Sequence, residues 1–233
     1  MSRLILVLVL LSLAPLSLYK DNIHTNYLMR SVGASVVMLT PINNPQAGGT
    51  GFQIETPYGN RLISNAHVCR SLGEYGLAHY QGGQQIVKIE RLDDRADLCM
   101  LSAVYDIPAL ELASSKAEVG DTVRALGHPG LRPQTMTEGV VIGTDITGVV
   151  TGFYDEATCV GPGAEQYIIF CVRPYNAVNT TVTIYPGSSG SPVFNKFGNV
   201  QGVMFASNNQ TNQGSYMPLA DLQRFIQEER SGL

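Results

Sequence analysis

Ser189 stands in the segment Pro186-Gly187-Ser188-Ser189-Gly190-Ser191-Pro192, entered by an apolar run and left through Pro-Val-Phe. A serine nucleophile needs a tight turn that thrusts its hydroxyl into a cleft, with unencumbered backbone N–H groups beside it to hold an oxyanion. Glycines on both sides of the serine pair permit such a turn. A Ser/Gly hairpin turn with no chemistry of its own is the competing reading. The two separate on whether a base and an orienting carboxylate occur elsewhere in a workable order.

All four histidines, His24, His67, His79 and His128, precede Ser189. An arrangement with the histidine last is therefore excluded, and the order His, Asp, Ser remains. Residues 61–69 read as a short strand running into a small-residue turn that ends at His67. An imidazole there titrates near neutrality and can take and return a proton in one turnover; a satisfied, partly buried core histidine is the alternative. His79 and His128 have loop-like neighbours and no such frame. Asp97 opens the apolar run Leu98–Leu101, so its carboxylate would stand at the rim of a core, where an acceptor-only group can fix the imidazole tautomer. Asp93 and Asp94 share a charged turn with Arg91 and Arg95 and suit a solvated surface.

Ser64-Asn65-Ala66-His67-Val68, Ala96-Asp97-Leu98-Cys99-Met100-Leu101 and Gly187-Ser188-Ser189-Gly190-Ser191-Pro192 resemble the three signature blocks of trypsin-like serine proteases, most closely the Deg (high-temperature-requirement) branch. Ser35-Val36-Val37, Gly49-Thr50-Gly51-Phe52, Ala125–Gly130 and Thr135–Val141 resemble further blocks of that branch, so the likeness spans residues 31–226. It implies an all-β fold of two six-stranded antiparallel barrels with a C-terminal helix. It implies Ser189 as the acylated nucleophile, His67 as general base and acid, Asp97 as the orienting carboxylate, and the N–H groups of Gly187 and Ser189 as the oxyanion hole. The primary specificity pocket then falls near Thr183, with a wall on the later strand at Phe205 and Ser207. Neither stretch carries Asp or Glu, which points to small or apolar side chains rather than Lys or Arg. Two positions depart from the branch: Ser191 replaces a frequent second glycine, and Ser188 a frequent Asn or Asp. Only Ser189 has the Gly-x-Ser-Gly-x-Pro frame, so Ser188 and Ser191 read as bystanders.

The elements that must position these groups are legible as short strands. Of 233 residues, 24 are Gly and 12 are Pro, which fits many strands joined by turns. Period-two or continuously apolar runs predict strands at 34–39, 85–89, 98–104, 122–126, 167–171, 181–185 and 200–205. Leu219, Leu222, Phe225 and Ile226 recur at helical spacing and predict a C-terminal helix over 218–230. The domain is read as 31–233, with a first barrel about 31–113, a second about 120–217, and the cleft between them. No peptide-binding PDZ-like unit is expected after the helix.

Residues 4–18 carry no charge and follow a basic start, so 1–20 read as a signal peptide or signal-anchor, and 4–18 as a possible membrane tether. Secreted, periplasmic or membrane-anchored placement follows. Cys159 and Cys171 flank a Gly-Pro-Gly turn and are a candidate disulfide. Cys69 and Cys99, each two residues past His67 and Asp97, are a second candidate pair or free buried thiols. Asn179 and Asn209 open glycosylation-type triplets. No Cys-x-x-Cys or His-x-x-x-His spacing suggests a metal, no phosphate loop suggests a nucleotide, and the mechanism needs no cofactor. A net charge of −4 without a basic cluster argues against nucleic acid. Two readings follow: a serine endopeptidase acting on proteins or peptides, or a catalytically silent homologue that binds peptides in the same cleft.

Overall fold

The computed structural model describes residues 23–153, 165–167, 170–208 and 213–228. The first half runs α1 (residues 23–33), β1 (Val36–Pro41), β2 (Gly49–Thr56), β3 (Gly59–Ser64), α2 (Ala66–Leu72), β4 (Tyr75–Tyr80), β5 (Gly83–Asp93) and β6 (Leu98–Leu101). Its strands close into an antiparallel barrel in the order β1-β2-β3-β6-β5-β4. The second half holds β7 (Thr122–Gly127), β8 (Thr135–Phe153), β9 (Glu165–Tyr167), β10 (Phe170–Thr183), β11 (Pro192–Phe194), β12 (Val200–Asn208), β13 (Gln213–Pro218) and α3 (Leu219–Gln227). Its sheet order is β13-β12-β11-β7-β8-β10-β9, and pairing of β13 with β10 closes six strands into a barrel, leaving β9 on the flank. Two six-stranded barrels with a C-terminal helix are thus the fold.

Barrel geometry explains why several strands lack polar alternation. In β6, Leu98 and Met100 face a core shared by both barrels, while Cys99 and Leu101 face the interior of the first barrel. In β12, Val203 and Phe205 join the shared core and Met204 fills the second barrel. A strand buried on both faces reads as a continuous apolar run. The shared core also takes Leu28 and Val32 from α1 and Leu222, Phe225 and Ile226 from α3. Arg91 latches α3 from the first barrel: its guanidinium donates to Phe225 O at 2.6 Å and lies 4.4 Å from the Phe225 ring centroid.

The local expectations need revision at several points, among them the run 98–104, whose strand ends at Leu101. His67 lies not in a turn but in the first turn of α2, whose Ala66, Val68, Cys69 and Leu72 are buried. Val68, Cys69 and Leu72 of that set pack the helix on the interior of the first barrel. Helix α1 was unanticipated; Leu28 and Val32, four apart, pack it toward the Asn195–Asn199 turn, where Gly198 leaves room for both. His79 sits within strand β4 and meets Thr40 Oγ1 at 2.9 Å. Strand β10 ends at Thr183 rather than 185, and in the turn beyond it Ser188 N–H donates to Tyr185 O at 2.9 Å. Residues 1–20, Asn209, Cys159 and the Cys171 side chain lie outside the described residues. Among the described residues no helix is long and apolar enough to cross a membrane.

Candidate active site

His67 and Asp97 meet inside the first barrel. Helix α2 begins as β3 ends, and its second residue is His67; Asp97 directly precedes β6, which pairs with β3 from Leu62–Leu101 to Ser64–Cys99. Asp97 Oδ2 lies 2.8 Å from His67 Nδ1, and Asp97 Oδ1 accepts the His67 backbone N–H at 3.0 Å. One carboxylate therefore fixes the ring and caps the helix that carries it. With Nδ1 bonded to a carboxylate, that nitrogen carries the proton and Nε2 presents its lone pair.

The Asp97 backbone is held as firmly. Its φ of 48° lies in the left-handed region, unusual for a non-glycine residue. Its carbonyl accepts from Ala66 N–H at 3.1 Å and from Asn65 Nδ2 at 3.0 Å. Asn65 occupies the N-cap position yet makes no cap bond, and its buried Oδ1 has no partner among the described residues. The Asn65 amide thus serves Asp97 rather than its own helix. A buried disulfide joins Cys69 to Cys99, two residues beyond His67 and Asp97, with Cα atoms 6.4 Å apart. Asp93 and Asp94 lie outside this arrangement: Asp93 Oδ1 accepts the Arg95 N–H at 2.8 Å, and Asp94 pairs with Arg70 at the surface.

The His67 side chain is 43 % exposed and that of Asp97 6 %. Partial burial of the ring is the largest influence on its pKa and lowers it. The Asp97 hydrogen bond and charge together outweigh that effect, so the His67 pKa is raised above 6.5.

Ser189 comes from the second barrel. Its turn passes through Gly187 and Gly190, at φ 91° and 87°. A Cβ on Gly190 would lie 2.0 Å from Thr50 O and 2.3 Å from Ser64 Oγ, so the turn is pressed against β2 and β3. Thr50 N–H donates to Ser189 O at 2.8 Å. Gly49 sits between the two halves of the site: a Cβ there would lie 2.7 Å from the Val68 side chain and 2.9 Å from Ser189 O. The serine turn is thereby docked beside the start of α2. Among the described residues Ser189 Oγ, His67 Nε2 and the N–H groups of Gly187 and Ser189 make no hydrogen bond. Ser188 and Ser191 are buried, and Ser191 Oγ donates to Ser188 O at 2.6 Å. The Ser191 hydroxyl is thus built into the turn. Nothing in its local sequence distinguishes that role.

Thr183, half-buried at the end of β10, lines a small recess with Tyr185, Ser188 and Ser191. Phe205 instead packs its ring edge-on against Tyr175, centroids 5.3 Å apart, in the shared core. The Ser207 side chain lies outside the described residues. Asn179 is half-buried in β10 and accepts from Ser215 Oγ at 2.7 Å, so its amide is engaged in the sheet. Among the described residues no three His, Cys, Asp or Glu side chains cluster as metal ligands.

Two antiparallel barrels, a histidine–carboxylate pair on one and a glycine-flanked serine turn on the other define the chymotrypsin-like class of fold. A family model described as the trypsin-like peptidase domain matches residues 49–203, and the chain belongs to that family. A probable periplasmic serine endoprotease DegP-like of Hahella chejuensis is 29 % identical over 174 residues, covering 74 % of this chain and 32 % of that protein. The serine protease HTR4 of Rattus norvegicus is 27 % identical over 186 residues, covering 75 % and 34 %. The chain thus spans about a third of the length of the curated relatives it matches. Among solved structures, the active form of the Rv3671c protease of M. tuberculosis superposes with a TM-score of 0.70 at 20 % identity, covering 87 % of this chain and 83 % of that one.

Proposed function

We propose that this chain is a serine endopeptidase that hydrolyses peptide bonds through an acyl-enzyme. The observation that carries the reading is the His67–Asp97 pair, at 2.8 Å, beside a serine turn whose Gly187 and Ser189 N–H groups have no acceptor among the described residues. In this reading Ser189 Oγ attacks the scissile carbonyl carbon while His67 Nε2 takes its proton. Asp97 holds the ring and stabilises the imidazolium, and the two N–H groups receive the developing oxyanion. His67 then returns the proton to the departing amine. Water, deprotonated by the same nitrogen, then attacks the acyl carbon, and His67 passes that proton to Ser189 Oγ as the C–Oγ bond breaks and the acid departs. Protein or peptide chains are the substrates.

The residues at Thr183–Ser188 carry no carboxylate, which supports small or apolar side chains at the position before the cut. The relatives named as periplasmic and the uncharged stretch 4–18 support export, with that stretch as leader or tether. A fluorophosphonate probe, which phosphonylates an activated serine, tests the chemistry. The adduct is expected on Ser189 and absent from Ser189→Ala at unchanged melting temperature. Folded protein with no adduct on Ser189 would refute the reading and leave a peptide-binding homologue.

A further inference from the structure

The turn from Pro186 to Ser191 carries its two candidate oxyanion donors on peptide units that other groups orient. In a trans peptide the carbonyl and the N–H point in opposite directions, and the described residues contain no cis bond. The Gly187 N–H shares its unit with the Pro186 carbonyl, which Gly130 N–H holds at 2.6 Å. The Ser189 N–H shares its unit with the Ser188 carbonyl, which accepts from Ser191 N–H at 3.1 Å and from Ser191 Oγ at 2.6 Å. Each donor is therefore aimed away from an anchored carbonyl.

The unit between them is held from the other barrel. Thr50 Oγ1 donates to Gly187 O at 2.8 Å and accepts the His128 N–H at 2.9 Å. Thr50 is fully buried on β2, so a single hydroxyl ties the first barrel to the serine turn and to the β7–β8 loop. The same loop supplies Gly130. Gly127 makes space for both hydroxyls: a Cβ there would lie 1.9 Å from Ser191 Oγ and 3.0 Å from Thr50 Oγ1. Gly187, at φ 91°, has no Cβ to limit its rotation and is the residue whose carbonyl the Thr50 hydroxyl pins.

We infer that the Thr50 and Ser191 hydroxyls are positioning groups that hold the Gly187 and Ser189 N–H groups on the oxyanion. This rests on the assignment of those two N–H groups proposed above. Neither hydroxyl touches the substrate, and both act through the orientation of backbone units.

The test is the rate of fluorophosphonate labelling, resolved into the maximal rate kinact and the half-saturating concentration KI. Thr50→Val keeps the shape of the side chain and removes both bonds; Thr50→Ser keeps the hydroxyl. Since losing one oxyanion donor outright costs on the order of 100-fold or more, Thr50→Val is expected to lower kinact roughly 10-fold to 100-fold. KI and the midpoint of the pH profile should stay fixed, because the His67–Asp97 pair is untouched. Thr50→Ser should restore kinact to within about 2-fold, and Ser191→Ala should lower it at unchanged KI. Rates are taken per folded molecule, which removes any plain loss of stability. Ser191→Ala, which only deletes an atom, keeps the test open should Thr50→Val fail to fold. Wild-type labelling with an undiminished kinact in either variant overturns the inference for that hydroxyl, as does an equal loss in Thr50→Val and Thr50→Ser. A wild-type protein that takes no label overturns the parent reading and this one with it.

Discussion

Removing the Cys69–Cys99 disulfide is expected to destabilise the fold while leaving the His67–Asp97 contact in place. The bridge joins residues 30 apart in sequence and closes a loop through β4 and β5. Loop-closure entropy for a ring of that size corresponds to about 3.7 kcal/mol at 25 °C. For a domain of this length, each kcal/mol moves the melting temperature by about 2–4 °C, so Cys69→Ala/Cys99→Ala should melt roughly 7–15 °C lower. Both cysteines are fully buried, so the vacated sulfur volume adds to the loss. Calorimetry on oxidised protein, reduced protein and the double variant separates the two contributions, since reduction breaks the ring without emptying the core. At 25 °C, activity per folded molecule should change little, because Asp97 is held independently by His67, Ala66 and Asn65. Reduced and oxidised protein melting within about 2 °C of each other would refute the loop-closure reasoning. So would Cys69 or Cys99 thiols titrating in denatured, unreduced protein.

Three further outcomes follow from the same geometry. The His67 pKa is raised, and the proposed chemistry needs the neutral ring, so kcat/KM should fall as pH drops through a midpoint above 6.5. Asp97→Asn removes both upward influences, so its residual activity should titrate below 6.5 and be lower by on the order of 10⁴-fold, as a pH–rate profile would show. Asn65→Ala deletes the amide that holds Asp97 O but also an orphaned buried oxygen. It should cost only about 1 kcal/mol in denaturant unfolding while lowering kcat more than KM rises. Gly190→Ala puts a methyl against Thr50 O at a φ of 87°, and should destabilise the fold by more than about 2 kcal/mol in the same assay.

Residue order and local frame sufficed to nominate His67, Asp97 and Ser189, because each sits at an abrupt junction: a strand end, the head of an apolar run, a glycine-flanked turn. Strands such as β6 and β12 were legible because burial on both faces leaves unbroken apolar runs such as Leu98–Leu101, whereas β4, β11 and β13 carry no such run in the sequence reading. What sequence could not show are contacts made across large separations. Thr50 and Gly187 are 137 residues apart, and nothing in Gly-Thr-Gly says which backbone its hydroxyl will meet. Ser191 looked idle because its partner, Ser188 O, is a main-chain atom that no pattern reports. Helix α2 was hidden by its length: seven residues give too few turns for a clear period.

The division of the site between two barrels sets the order in which it can be born. The histidine–carboxylate pair lies wholly within residues 67–99, so it can form once the first barrel has left the ribosome, and an oxidising compartment can then close the disulfide in the same span. Ser189 emerges some ninety residues after Asp97, and its carbonyl finds Thr50 N–H only when the second barrel docks. Until that docking, the base of the proposed function stands poised with no serine to activate. In the function proposed, cutting power arrives with the last strands of the fold, so a half-made chain is harmless to its neighbours.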